Sequence, residues 1–215
     1  PGEHGADIVV HSASKFLGGH GSALGGVVVD QGSYDWSASP FEHLTAPDDW
    51  LHGDSYVGAY GRGAYIAFAR SVVSSLFGPV LSPVNAFLIQ QGIETLSLRL
   101  RQQSDTALTV ARWLERRPEV ASVDYAGLES HSSHALAQRY LPRGAGAILG
   151  FTLAGGEAAA ERFYDAVTLF SRMTHIGDVR SLILHPATTT HAHLHDEVRA
   201  ATGIGDGLLR LSIGL

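Results

Sequence analysis

Lys15 is the residue of this 215-residue chain whose surroundings best suit covalent chemistry. It follows a short apolar segment, has Ser12 and Ser14 on its N-terminal side, and enters a glycine-rich turn. A lysine amine attacks a carbonyl only when unprotonated, and a position at a strand end or beside a cation favours that form. The two hydroxyls could bond a phosphate of the same ligand. The glycines would let the backbone approach that ligand closely. The alternative is an ordinary loop lysine, since Ser-x-Ser-Lys is a short pattern.

Arg210 is the second candidate, in the alternating segment 208–213. Alternation places Arg210 and Ser212 on the same face of a strand. An arginine within an otherwise apolar strand needs an anionic partner, and a substrate carboxylate would accept two parallel hydrogen bonds from it. A structural ion pair is the alternative for this residue.

Two further segments place polar side chains where a ligand could lie. Gly177 precedes a predicted strand and permits close backbone approach, so Ser181 could bond a carboxylate, although a plain turn fits equally well. The segment 185–195 holds four histidines, a number that suggests a metal site. It lacks the helical histidine pair with a glutamate that zinc enzymes use, and its nearest acidic residues only follow it. We therefore predict no metal site, and we expect the threonine hydroxyls of this segment to face a polar pocket.

Composition excludes several classes of function. The formal net charge is −6, and the 15 lysine and arginine residues are scattered, so we predict neither a nucleic-acid partner nor a membrane partner. The absence of cysteine excludes disulfides, zinc thiolates and a cysteine nucleophile. Without a targeting signal the expected location is the cytoplasm. Both ends lie in apolar segments and the first residue is not methionine, so we expect a piece of a longer protein.

The order of predicted elements is α/β. Short strands at 8–10 and 24–29 flank the Lys15 turn, and a long surface excursion without periodicity occupies 31–55. Helices are predicted from Tyr56 to Phe77 and from Pro83 onwards, and a long amphipathic helix covers 94–117. Strands and helices then alternate, with strands at 120–125, 147–153 and 181–185 and helices at 133–140 and 157–167. The long helix is the natural domain boundary, which predicts a first domain over 1–98 and a second over 99–215.

Five segments, in order, resemble the Cys/Met-metabolism family of pyridoxal-phosphate enzymes. They are residues 6–21, 77–88, 91–96, 186–191 and 209–214. The resemblance implies fold type I, the aspartate-aminotransferase-like fold. In that fold a large cofactor-binding domain with a mixed, mainly parallel seven-stranded sheet precedes a smaller C-terminal α/β domain. It also implies a homo-oligomer, expected to be a homotetramer, with small-molecule substrates of the amino-acid type.

The resemblance further implies a role for each candidate residue. Lys15 is the catalytic residue and forms the Schiff base with the cofactor, pyridoxal 5'-phosphate. Ser12 and Ser14 hold the cofactor phosphate. Arg210, helped by Ser181 and by Thr190, binds the substrate carboxylate.

Within the family, the chain is most similar to the O-acetylhomoserine sulfhydrylases. The segment 30–65 resembles an insertion that shorter cystathionine synthases and lyases lack, and 176–182 resembles a Val-Gly-Asp-x-x-Ser-Leu pattern. This implies γ-replacement, in which sulfide or methanethiol replaces the acetate of O-acetylhomoserine. The alternatives are a cystathionine γ-synthase or lyase, a methionine γ-lyase, a histidine-rich metal-dependent hydrolase and an inactive remnant. One departure is His175, where many relatives carry asparagine.

Overall fold

The apolar residues ahead of Lys15 form strand β1 (Ile8–Ser12) in a computed structural model that describes residues 1–215. The chain divides into two units, one of 1–13 with 25–86 and the other of 14–24 with 87–215. The predicted boundary near Arg99 concerns the whole protein and stays a prediction.

The first unit contains a two-stranded sheet. β1 pairs antiparallel with β2 (Gly26–Asp30), so that Ile8 lies opposite Asp30 and Ser12 opposite Gly26. The two strands predicted here are confirmed, with boundaries shifted by two residues. They form no parallel pair, and the mainly parallel sheet expected for the large domain stays a prediction about the whole protein.

The segment 31–55 contributes two residues to the hydrophobic core of the first unit. Most of its residues are exposed, as expected of a surface excursion, but Trp36 and Leu44 are 6% and 1% exposed. They pack with Tyr56 and Ala64. Burial of such aromatic side chains removes a large apolar area from water and orders a segment that has no regular periodicity. Its regular elements are short: 3-10 turns at Trp36–Ala38 and Asp49–Leu51 and helix α1 (Glu42–Thr45).

The helix predicted from Tyr56 to Phe77 is interrupted rather than continuous. Its pieces are α2 (Tyr56–Tyr60), a 3-10 turn (Gly61–Gly63), α3 (Ala64–Phe68), a π-helical stretch (Ala69–Ser74) and α4 (Ser75–Phe77). Gly61 has a φ of 54° and ends α2. Gly78, with a φ of 70°, ends the whole stretch, as predicted from the glycine and proline there.

Two consecutive helices lead into the second unit. They are α5 (Pro83–Glu94) and α6 (Leu96–Leu114). The buried face of α6 is apolar in its second half, at Ala107, Ala111 and Leu114, and polar in its first half. None of the helices is both long and apolar enough to cross a membrane.

A five-stranded sheet forms the centre of the second unit. Its strands are β3 (Val120–Asp124), β4 (Ile148–Leu153), β5 (Ser171–Arg172), β6 (Leu182–Leu184) and β7 (Leu208–Ser212). Their order is β3-β4-β7-β6-β5, and all neighbours are antiparallel except β5 and β6. The remaining helices are α7 (His134–Tyr140), α8 (Gly156–Ala166) and α9 (Asp196–Ala201). β5 and α9 were not predicted, because two residues and six residues are too short for a periodic pattern.

The two faces of the sheet differ in character. Leu209 and Leu211 of β7 are 0% and 4% exposed and belong to the main core, with Ala107 and Ala160. Alternation turns Arg210 to the opposite face. The central position of β7 therefore places an arginine in the middle of the sheet.

Candidate active site

Lys15 lies in a single wide helical turn that spans Ala13–Leu17. The turn is not a regular helix, since Lys15 itself has φ −94° and ψ −126°. Lys15 is also the only lysine in the sequence, a signal for a special role that was available without the structure. Its amine nitrogen Nζ lies 2.9 Å from Nδ1 of His175, 160 residues later in the chain.

Arg99 of α6 fixes the backbone just after Lys15. The guanidinium is 4% exposed, and its Nη2 donates to the carbonyls of Gly92 at 2.6 Å and Phe16 at 3.1 Å. Burial lowers the pKa of Arg99, and no carboxylate of the chain pairs with it. This role was not predicted from the sequence. Arg99 and Gln103 lie on the same helical face as the apolar Ala107, a spacing that indicates buried polar side chains.

Gly177 brings a second segment against the Lys15 turn. Its φ is 76°, and a Cβ there would lie 2.6 Å from the backbone nitrogen of Phe16. Two residues on, the amide of Val179 donates to the carbonyl of Gly19 at 2.8 Å. Gly177 thus permits close approach to the turn that carries Lys15, and its predicted approach to a ligand stays a prediction.

Asp178 locks this second segment in place. Its side chain is fully buried and accepts hydrogen bonds from Nε and Nη2 of Arg180, at 3.0 and 2.8 Å. Burial alone would raise the pKa of Asp178, but the hydrogen bonds and charge of Arg180 outweigh it, so the pKa is lowered. The carbonyl of Asp178 accepts from Gln103 at 2.9 Å, which ties the segment to α6.

His175 is a neutral, partly buried imidazole. Burial lowers its pKa below the ordinary 6.5, and the positive charges of Lys15 and Arg180 act in the same direction, against Asp178. Its Nε2 is buried and has no hydrogen-bond partner in the protein. The ring is therefore uncharged near neutral pH, with Nδ1 directed at Lys15.

Arg210 contacts the backbone of His175. Its Nη2 donates to the carbonyls of Thr174 at 3.0 Å and His175 at 3.2 Å. Burial lowers the pKa of Arg210, and its Nε is buried without a partner. The alternative of a structural ion pair finds no support, since none of the ion pairs within residues 1–215 includes Arg210.

A cavity of about 400 Å³ lies over the Arg210 face of the sheet. Thr190 and Arg210 both line it, together with Gly150 opposite Arg210 on β4. Ser181 is not among the lining residues; its hydroxyl accepts from the amide of Gly214 at 3.0 Å. The structure thus brings Arg210 and Thr190 together, and the predicted role of Ser181 in binding substrate stays a prediction.

The two serines predicted to hold a phosphate differ in their surroundings. Ser12 is exposed at the end of β1, whereas Ser14 is 8% exposed and begins the second unit. Both assignments stay predictions.

The first histidine of the histidine-rich segment 185–195 has a structural role. His185 is 1% exposed, with Nδ1 2.8 Å from the Thr188 hydroxyl and Nε2 2.8 Å from the carbonyl of Asp206. Both ring nitrogens are therefore engaged by the protein. Nowhere in residues 1–215 do three or more side chains of the metal-binding types group together.

Comparison with known proteins identifies the family. The family model for Cys/Met metabolism PLP-dependent enzymes matches residues 1–215. The O-acetyl-L-homoserine sulfhydrylase of Leptospira meyeri is 44% identical over 224 residues, covering 100% of this chain and 51% of that protein. The chain spans about half the length of the curated relatives it matches.

Solved structures agree with the sequence comparison. A protein of Campylobacter jejuni, assigned as an O-acetylhomoserine (thiol)-lyase and solved with an N'-pyridoxyl-lysine-5'-monophosphate, superposes with a TM-score of 0.93 at 33% identity. The match covers 100% of this chain and 52% of that one. Cystathionine gamma synthase of Xanthomonas oryzae gives a TM-score of 0.74 at 38% identity, with 99% and 46% covered. These neighbours fit the fold type I expectation, and the chain belongs to the Cys/Met metabolism family of pyridoxal-phosphate-dependent enzymes.

Proposed function

We propose that the whole protein is an O-acetylhomoserine sulfhydrylase, which replaces the acetate at Cγ of O-acetylhomoserine with sulfide to give homocysteine. One observation carries the proposal. The only lysine of the chain and a partly buried arginine without an ion-pair partner both bond to a single residue, His175. An amine and a guanidinium that share one neighbour suit an amino-acid substrate that must meet a carbonyl-bearing cofactor.

The residues present fit pyridoxal phosphate. The Lys15 amine is held at a neutral imidazole, with no carboxylate in hydrogen-bond contact to keep it protonated. Lys15 would hold the aldehyde end of the cofactor, and Ser12 and Ser14 would hold its phosphate. When bound, the cofactor supplies an electron sink for the substrate carbanion.

Arg210 would bind the α-carboxylate of the substrate. Its Nε is buried without a partner, and a carboxylate is the acceptor that forms charge-assisted hydrogen bonds with a guanidinium. Thr190 lines the same cavity and would add a hydroxyl donor. The Ser181 hydroxyl, which accepts from the amide of Gly214, would donate its hydrogen to the same carboxylate.

Lys15 would also move the protons of the reaction. With the carboxylate fixed by Arg210, the substrate Cα–H is presented to the Lys15 amine, which takes that proton and then serves the Cβ position. One residue is thus both anchor and base. Acetate would leave Cγ with the electrons of the C–O bond, and sulfide would form the new C–S bond at the same carbon.

The segment 30–65 favours this reaction over that of cystathionine synthases and lyases. It builds the core of the first unit around Trp36, Leu44 and Tyr56 and so is an integral part of the fold. The backbone also superposes better on the O-acetylhomoserine (thiol)-lyase, with a TM-score of 0.93 against 0.74 for the cystathionine synthase, although the sequence identity is 33% against 38%. A homotetrameric state and a cytoplasmic location stay predictions.

Two measurements on the full-length protein test the proposal. Product analysis with O-acetylhomoserine should show homocysteine with sulfide, or methionine with methanethiol, and little cystathionine with cysteine. Borohydride reduction of the holoenzyme should attach the cofactor to Lys15. A protease specific for lysine should then fail to cut after Lys15, its only site within residues 1–215. Cystathionine as the main product, or a label on a different residue, would contradict the proposal.

A further inference from the structure

We propose that His175 is a positioning residue for Lys15. Whenever the Lys15 amine is not bonded to the cofactor, a hydrogen bond to Nδ1 of His175 holds it in place. The proposal rests on the proposed function of Lys15, and it adds a residue to the machinery that moves the proton between substrate Cα and Nζ. Lys15 itself takes and returns the proton. His175 takes no covalent part.

The backbone around His175 is fixed on both sides. Its carbonyl accepts from Arg210 at 3.2 Å. Two residues on, the amide of Gly177 donates to the Ser212 hydroxyl at 3.0 Å, and Gly177 packs against Phe16. The imidazole therefore has a defined position relative to the turn that carries Lys15, and the 2.9 Å contact is not a chance meeting of two mobile side chains.

The charges around the ring keep it able to serve Lys15. The charged groups that face it are Lys15, Asp178, Arg180 and Arg210. Burial and the positive charges of Lys15 and Arg180 oppose protonation of the imidazole, which Asp178 favours. A neutral imidazole accepts a hydrogen bond from a lysine ammonium in one tautomer and donates to a free amine in the other. It can thus hold Lys15 before and after the proton moves, whereas an imidazolium would repel the ammonium.

The unpartnered Nε2 is consistent with this exchange. It is buried and has no hydrogen-bond partner, so no hydrogen bond at Nε2 selects one tautomer over the other. A histidine with a purely structural role would usually have both nitrogens satisfied, as His185 does.

The test follows attachment of pyridoxal phosphate to the cofactor-free, full-length protein by absorbance, from about pH 5 to 8. Attachment needs the free amine of Lys15 in place, and it is a readout independent of turnover. In the wild type His175 takes up a proton as the pH falls through its lowered pKa, so the logarithm of the rate should fall more steeply at the acid end of the range. In His175→Asn, whose amide can hold the amine but does not titrate, the slope at the acid end should be smaller by about 1. His193→Asn, at an exposed histidine, should keep the wild-type slope.

A second variant separates positioning from titration. His175→Ala should slow attachment on the order of 10-fold at about pH 7.5, and His175→Asn should recover most of that loss. Equal slopes in the wild type and His175→Asn would overturn the inference, and this comparison holds even where the alanine variant fails to fold. The borohydride label distinguishes the two proposals. Attachment to Lys15 with equal slopes refutes only the role of His175, whereas attachment elsewhere refutes the proposed function.

Discussion

A Cβ on Gly177 would lie 2.6 Å from the backbone nitrogen of Phe16, the residue that follows Lys15. The distance is shorter than real side chains tolerate, and the near atom is backbone that cannot rotate away. The position of the Lys15 turn thus depends on a glycine 162 residues away in sequence.

Gly177→Ala should therefore lower both stability and kcat of the full-length enzyme. The left-handed backbone, at φ 76°, costs alanine about 1 to 2 kcal/mol, and the clash adds about 1 to 3 kcal/mol. Gly203→Ala is the matched control, since Gly203 has a φ of 78° and nothing within 4 Å of an added Cβ. Urea unfolding and steady-state kinetics should show the larger loss and the kcat effect only in Gly177→Ala. Equal behaviour of the two variants would mean that the Phe16 contact has no consequence.

Arg210→Ala should mainly raise KM for the amino-acid substrate. Loss of a charge-assisted hydrogen-bonded pair costs about 1.5 to 3 kcal/mol, roughly 10- to 150-fold in affinity. Arg210→Lys should recover only part, because an ammonium lacks the planar fork. Arg172→Ala, in the same sheet but 45% exposed in its side chain, should be close to the wild type. An unchanged kcat/KM in Arg210→Ala would remove this residue from the carboxylate site.

Asp178→Asn should destabilise the protein with a definite pH signature. The folded-state pKa of Asp178 is lowered relative to the unfolded chain, so its ionised form contributes stability above about pH 4 and loses it as the pH falls further. The variant should lose about 1 to 3 kcal/mol at about pH 7 and about pH 5 alike. The difference should shrink below about pH 4.

The matched control for this experiment is Asp165→Asn. That carboxylate is 77% exposed and 3.7 Å from Arg172, and such surface pairs contribute little. Urea unfolding of the three proteins at each pH gives the comparison. A difference between the wild type and Asp178→Asn that grows as the pH falls would show that the carboxyl is protonated in the folded state.

His185 should act as a structural residue and bind no metal. His185→Ala leaves the Asp206 carbonyl and the Thr188 hydroxyl without their partner and should cost about 1 to 3 kcal/mol, whereas His193→Ala should have little effect. Treatment with a chelator should change neither thermal unfolding nor activity. Stoichiometric zinc that survives dialysis and is lost in His185→Ala would reverse this assignment.

Sequence alone determined the family, the lysine and most of the elements. Local periodicity of apolar residues predicts three elements that the structure contains: the strand before Lys15, the long helix α6 and the alternating strand β7. The family resemblance rests on five segments in order, and the comparisons confirm it. Arg210 could be singled out because a charged residue in an apolar strand violates the local pattern.

Tertiary structure decided which residues meet. His175 contacts Lys15, 160 residues away in sequence, and Arg99 contacts the carbonyl of Phe16, 83 residues away. The periodicity of helices and strands predicts no contacts at such sequence separations. The Ser181 hydroxyl accepts from the amide of Gly214, 33 residues later, a partner that the local motif does not indicate. Hydrogen bonds between distant segments form only when the packed core brings their backbones together. The sequence pattern therefore predicts the type of chemistry, whereas the contacts between residues depend on the fold.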